Sequence, residues 1–228
     1  MSSTLIGLPG VSSARTAAPR RVFWSNSGIY LPSSKIIDGA LSRDAGNTGD
    51  LDVLRAGLLM GKITSGGKYA PSIFGVTTNS ESAGSTSIQA AAAVITELVR
   101  RVGSTGTFKL TGPPSANGTV ATETVTYSAA STTNITVTAI ANTYVAGSFI
   151  TATDGSETPL TFIADDYGVK VTDQDAASVD VPFAVFPVGG VVDSSQLINW
   201  PSDTSLRAWI MARINSVDTG KFIFDHNY

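Results

Sequence analysis

Val53-Leu54-Arg55-Ala56-Gly57-Leu58-Leu59-Met60-Gly61-Lys62-Ile63-Thr64-Ser65-Gly66-Gly67-Lys68-Tyr69-Ala70-Pro71 is the stretch on which the fold turns. Residues 53 to 63 are apolar and broken by glycine, the pattern of a β-strand that bends. Ser65-Gly66-Gly67-Lys68 then supplies a hairpin turn, because glycine takes the positive φ that tight turns need. Lys68-Tyr69-Ala70-Pro71 starts the return strand.

Downstream, Thr86 to Gln89 reads as a strand. Ala90 to Arg101 reads as a short helix: it is alanine-rich, has Arg100 and Arg101 in its last turn, and Gly103 follows as a terminator. From 104 to 164 threonine is frequent and period-2 runs alternate with turn clusters. The runs are Thr107-Phe108-Lys109-Leu110, Glu123-Thr124-Val125-Thr126-Tyr127, Ile135-Thr136-Val137-Thr138 and Leu160-Thr161-Phe162-Ile163; the turns include Gly112-Pro113-Pro114 and Asp154-Gly155. This predicts a small antiparallel sandwich or barrel. Further β segments follow at Val169-Lys170-Val171, Val179 to Val185 and Gly189-Gly190-Val191-Val192. Trp200-Pro201-Ser202-Asp203 precedes a second helix, in which Leu206, Trp209, Ile210, Ile214 and Val217 share one stripe. Ser202 or Asp203 is placed to cap its start, and Gly220 sits just past its end. Arg213 falls inside the stripe, where its stem can lie on apolar surface. Lys221-Phe222-Ile223-Phe224-Asp225 reads as a last strand.

Upstream, residues 1–50 read as an extended N-terminal arm. Met1 to Ala18 is rich in Ser, Ala, Gly and Pro, and residues 43–50 form a polar, glycine-rich connector. Such a segment buries too little to order by itself and suits ordering on a partner. The apolar pieces within it, Val22-Phe23-Trp24 and Ile29-Tyr30-Leu31, are either core or anchors to a neighbouring subunit. Extended segments of this kind can add a strand to an open sheet edge.

Composition narrows the classes. The chain has 228 residues, 42% hydrophobic but only 14% charged, against roughly a quarter charged in ordinary domains. Net charge is −3, and the 15 Lys and Arg are scattered. That argues against direct nucleic-acid binding, which favours a basic patch or stripe. With 0 Cys there is no disulfide, thiolate metal site or cysteine nucleophile. No run of about 18 apolar residues marks a membrane span. The N-terminus lacks the basic-then-apolar pattern of a signal peptide, which predicts use in a cytoplasm or in a particle assembled there.

Motifs for chemistry are weak. His226 is the one histidine, so any serine triad would have to use it near the C-terminus. Gly57-Leu58-Leu59-Met60-Gly61-Lys62 resembles a phosphate loop only superficially. It has three residues rather than four between the glycines, and Ile63 stands where a Ser or Thr is needed. The acidic residues Asp154, Glu157, Asp165, Asp166, Asp173, Asp175 and Asp180 match no twelve-residue calcium loop, and Asp is common in turns. Asp165 and Asp166 are adjacent and would face opposite ways on a strand, a poor carboxylate pair for glycoside hydrolysis. Asn117-Gly118-Thr119 and Asn134-Ile135-Thr136 match the glycosylation pattern, which matters only in a secreted chain. The expectation is a protein with no catalytic residues, no cofactor and no metal.

The segment 53–71 resembles the head decoration (capsid cement) proteins of tailed phages. The shared pattern is an apolar strand, Gly61-Lys62-Ile63-Thr64, a small turn, then Gly67-Lys68-Tyr69; Val192-Asp193-Ser194-Ser195-Gln196-Leu197 is similar to that group as well. The resemblance covers 51–76 and 165–200. It implies a bacteriophage virion protein on the exterior of the capsid, a homotrimer bound to the major capsid protein, with an arm adding a strand to that protein. The family has no catalytic residues to carry over.

These readings together predict a mainly β fold, with an antiparallel barrel or sandwich core, one or two short helices and the extended arm. The expected division is 1–50 as arm, 51–103 with 165–228 as β-rich core, and 104–164 as an inserted small β module. Phe23, Trp24, Ile29, Tyr30 and Leu31 are the expected capsid- or partner-binding residues. The alternative is a head-fibre, tail or baseplate component whose 104–164 module binds a host surface; an enzyme such as a sugar hydrolase is the third reading.

Overall fold

The structure is a computed structural model and describes residues 19–24, 28–30, 35–113, 119–182, 184, 186–216 and 221–225. The protein is mainly β, with antiparallel sheets and two α-helices among the described residues.

The quoted stretch opens with a short strand, β2 (Val53–Leu54), and bends at Gly57. There φ is +87°, and a Cβ would lie 2.1 Å from the carbonyl oxygen of Gln196. It continues as β3 (Leu59–Lys62) and returns as β4 (Tyr69–Pro71). The pairing is antiparallel, Met60 with Pro71 and Lys62 with Tyr69. Gly66 and Gly67 take φ of +87° and +69° in the turn, as the hairpin requires. On its other edge β3 pairs with β11 (Thr161–Phe162), while β12 (Val169–Lys170) pairs with β2.

A six-stranded sheet forms the largest unit. Its order is β5 (Gly75–Val76), β10 (Phe149–Thr151), β7 (Gly106–Gly112), β8 (Ala121–Ala130), β9 (Asn134–Val137) and β6 (Ser87–Gln89). The sheet curls, and its ends meet: Thr77, just after β5, bridges Ala90, just after β6. Alternation sends Phe108, Leu110, Val125, Tyr127, Ile135 and Val137 inward, where they pack with Val94, Ile95 and Leu98 of helix α1 (Ala92–Val102). Gly103 ends α1 with φ +121°, and its N–H donates to Val99 O. The Tyr127 hydroxyl donates to Gly103 O, tying the helix end to β8. The Thr-rich segment 104–164 therefore shares its sheet with β5 and β6 from before it, and its last strand, β11, belongs to the hairpin sheet.

A third sheet has the order β1 (Ile29–Tyr30), β13 (Pro187–Asp193), β14 (Lys221–Asp225). A 3-10 turn (Ser194–Gln196) and helix α2 (Thr204–Ile214) connect β13 to β14, which run parallel. A parallel pair needs such a crossover. Asp203 caps α2 through the N–H groups of Ser205 and Leu206, both at 2.9 Å. Leu206, Ile210 and Ile214 are buried against Phe222, Phe162 and Phe149, with Trp209 half-buried beside them. Arg213, the charge in the apolar stripe, sits over the Trp209 ring with its Cζ 3.8 Å from the centroid. Val217 and Gly220 lie outside the described residues.

Residues 35–50 pack against the protein's own body. Ile37 is buried and bridges both Tyr69 and Val181. Asp44 is buried and binds Arg55 through Nε (2.6 Å) and Nη2 (2.9 Å), while also accepting the N–H groups of Gly46 and Arg55. An Arg–carboxylate fork of this kind is the strong form of ion pair.

Candidate partner-binding surface

The expected partner-binding residues separate in the structure. Phe23 is core: its ring meets Phe162 at 5.6 Å and Phe222 at 6.4 Å. Trp24, Ile29 and Tyr30 are exposed by 43%, 58% and 44%. Leu31 lies outside the described residues. Phe23 bridges Val192, the Trp24 N–H donates to Val191 O (3.0 Å), and Ile29 and Tyr30 pair with Gly189 and Pro187. Residues 23–24 and 29–30 thus lie antiparallel along β13 as two pieces. The strand addition proposed for this segment is made, in this protein, to its own sheet.

The C-terminal strand joins them, which sequence reading did not foresee. Ile223 is 67% exposed on the same three-stranded sheet. The signal available was Phe222-Ile223-Phe224: three consecutive apolar residues in a strand place apolar groups on both faces. Phe222 and Phe224 pack inward, Phe224 stacked on Trp200 at 5.7 Å. The outward backbone groups of Phe222 are taken by Asn215, whose Oδ1 accepts the Phe222 N–H (2.7 Å) and whose Nδ2 donates to the Phe222 carbonyl (3.0 Å).

The acidic residues serve turns and ion pairs. Asp154 pairs with Arg101 (2.9 Å) and accepts from Ser156; Glu157 pairs with Lys109 (2.6 Å). Burial alone would raise the Asp154 carboxyl, but Arg101 and the Ser156 bonds hold it below the usual range. Asp165 caps Tyr167 N–H, Asp166 lies 3.8 Å from Arg21, and Asp173 caps Asp175 and Ala177. Asp180 bonds Lys68 (2.7 Å) and Gly39; the Lys68 bond is the chief cause that lowers its carboxyl. Tyr30 titrates above the ordinary phenol range, through burial first and then the nearby Asp166 and Asp165. Among the described residues no group of three or more His, Asp or Glu is arranged to hold a metal ion. His226 and Asn117 lie outside them.

The phosphate-loop look-alike is a packing device. A Cβ on Gly61 would lie 2.0 Å from the Ser156 carbonyl oxygen, so glycine lets the 154–158 loop close on β3. Among the described residues no helix is long and apolar enough to cross a membrane. No protein-family model, curated protein or solved structure matches this chain.

Proposed function

We propose that this protein is a capsid decoration protein, binding the outer surface of a tailed-phage head through its major capsid protein and stabilising the shell. The observation that carries the reading is the 53–71 stretch: its strand, Gly-Lys-Ile-Thr, turn and Gly-Lys-Tyr order forms a paired β hairpin with its turn in solvent. Two features support it. Large apolar side chains stand outside on the three-stranded sheet, the surface of a protein that works against a partner. The carboxylates at 154, 157, 165, 166, 173 and 180 are engaged in turns and ion pairs rather than gathered at one point. Weak contacts repeated over a symmetric shell add up through avidity.

The test is co-sedimentation of the purified full chain with undecorated heads of the phage that encodes it. The chain pellets with the heads and raises the temperature at which they release DNA. A chain that stays in the supernatant at saturating concentration defeats the proposal. A second chain, lacking residues 1–18 and keeping the buried Val22 and Phe23, asks whether the arm makes the contact: it binds weakly if so.

A further inference from the structure

Arg20 stands where separate segments of the chain meet. Its backbone N–H donates to Asp166 O (2.8 Å), and its Nε donates to Gln196 O (2.8 Å) in the 3-10 turn after β13. Burial first, and then the like charge of Arg55, hold the Arg20 guanidinium below its ordinary value, against the pull of Asp44 and Asp193. Both of those carboxylates are committed elsewhere. Asp44 binds Arg55 and accepts the N–H groups of Gly46 and Arg55, while Asp193 accepts from the N–H and hydroxyl of Ser195. The two Nη groups of Arg20 make no hydrogen bond or ion pair among the described residues, and the half-buried side chain leaves them open to water. A guanidinium pinned at Nε with both Nη donors unused is a receptor whose orientation is already fixed.

We propose that Arg20 receives a carboxylate of a bound protein, held in a two-pronged pair through Nη1 and Nη2. The inference rests on the capsid reading only for the source of that carboxylate, the major capsid protein. The planar fork of a guanidinium matches the two oxygens of a carboxylate, and a charge-assisted pair of this kind is stronger than a neutral hydrogen bond. An incoming anion also offsets the repulsion between Arg20 and Arg55. A dianionic phosphate fits less well, because Asp44 and Asp193 stand close by and the net charge of −3 opposes a polyanion. The rotamer freedom that a loose arginine gives up on binding is lost here on folding, since Gln196 already fixes the side chain. Arg207 on α2 is pinned in the same manner, Nε to Pro201 O at 2.7 Å, and serves as the internal control.

Two measurements on the full chain test it. In the first, phenylglyoxal modifies the free chain in sodium acetate and in sodium chloride at equal ionic strength, and the modified arginines are located by peptide mass spectrometry. Acetate, the probe, slows modification of Arg20 at least about twofold once it reaches its dissociation constant, and leaves Arg207 unchanged. In the second, Arg20→Gln pellets with undecorated heads at least about tenfold more weakly than wild type, and Arg207→Gln stays within about twofold of it. Arg20→Lys recovers only part of the loss, because a point charge lacks the fork. Arg20→Gln also loses the Gln196 bond, so circular dichroism and the melting temperature are read on each variant; the labelling uses the wild-type chain and does not depend on them. Equal labelling of Arg20 in the two salts, acetate protection that Arg207 shares, or stronger protection by inorganic phosphate overturns the proposal whether or not the chain binds heads. So does Arg20→Gln that binds heads like wild type, a result that leaves the capsid reading standing. A wild-type chain that stays in the supernatant while acetate protects Arg20 alone defeats the capsid reading and supports the carboxylate receptor.

Discussion

The curled six-stranded sheet and the three-stranded sheet use the same period-2 alternation and finish it differently. On β8 the inward positions are Val125 and Tyr127, and the outward ones are Thr122, Thr124, Thr126 and Ser128, all exposed hydroxyls. On β14 the inward positions are Phe222 and Phe224, and the outward centre is Ile223. The first sheet meets its own ends through Thr77 and Ala90 and wraps its apolar side round α1. The second is flanked by one short strand and leaves apolar surface outside. A sheet that satisfies itself needs only hydroxyls to face water, whereas the other shows isoleucine and tryptophan outward, the surface on which we propose a partner.

The largest effect falls inside the curled sheet. Phe108 is fully buried, and Phe108→Ala costs about 3–5 kcal/mol, read as a fall in the urea midpoint. A loss below about 1 kcal/mol would mean that the sheet does not close round α1 as described.

A middle effect is expected where the curled sheet joins the hairpin. Arg101 is buried at the end of α1, lies 5.3 Å over Phe74, donates to Pro71 O (2.8 Å) and to Ser156, and pairs with Asp154. Arg101→Met costs about 2–3 kcal/mol at neutral pH, less than a fully buried pair because Asp154 keeps some water. The pH dependence follows from the lowered Asp154 carboxyl. A depressed folded value means stability that is present above the ordinary carboxylate range and lost as pH falls through it to the folded value. The gap between wild type and Arg101→Met therefore narrows below about pH 4. A gap that stays unchanged well below that pH would assign the effect to packing on Phe74 instead of the ion pair.

The smallest effect belongs to the three-stranded sheet. Asn215→Ala removes two hydrogen bonds to Phe222 and costs about 1–2 kcal/mol. It also bares the outer edge of β14, so the variant gains concentration-dependent aggregation that wild type lacks, seen by light scattering. Unchanged stability would mean that water replaces the Asn215 side chain without loss.

Local signals made much of this legible. The hairpin was readable because Gly66-Gly67 sits between two apolar runs, and both helices because their periods, Asp203 and Gly103 lie within a few residues of what they control. Helix α1 begins at Ala92, two residues later than expected, since the chain is still extended at Ala91. Phe23 was readable as apolar but core and anchor stayed open, because its partners Phe162 and Phe222 lie far along the chain. The same limit hid the roles of residues 35–50. A polar, glycine-rich connector looks unable to order by itself, and it orders here because Asp44 meets Arg55 and Ile37 meets Tyr69 and Val181.

By itself the sequence determined that the fold is mainly β, where the hairpin turns, where α1 stops and α2 starts, and which chemistry cysteine would have offered and does not; α2 ends at Ile214, earlier than Val217 and Gly220 suggested. Those properties follow from backbone preference and side-chain period over a few residues. Only the tertiary structure decided that β5 and β6 join the Thr-rich strands, that β11 leaves them for the hairpin, and that Ile223 stands outside while Phe23 stands within. Pairing and burial depend on groups far apart along the chain, and no local preference encodes which of two apolar faces will find a partner in the same chain.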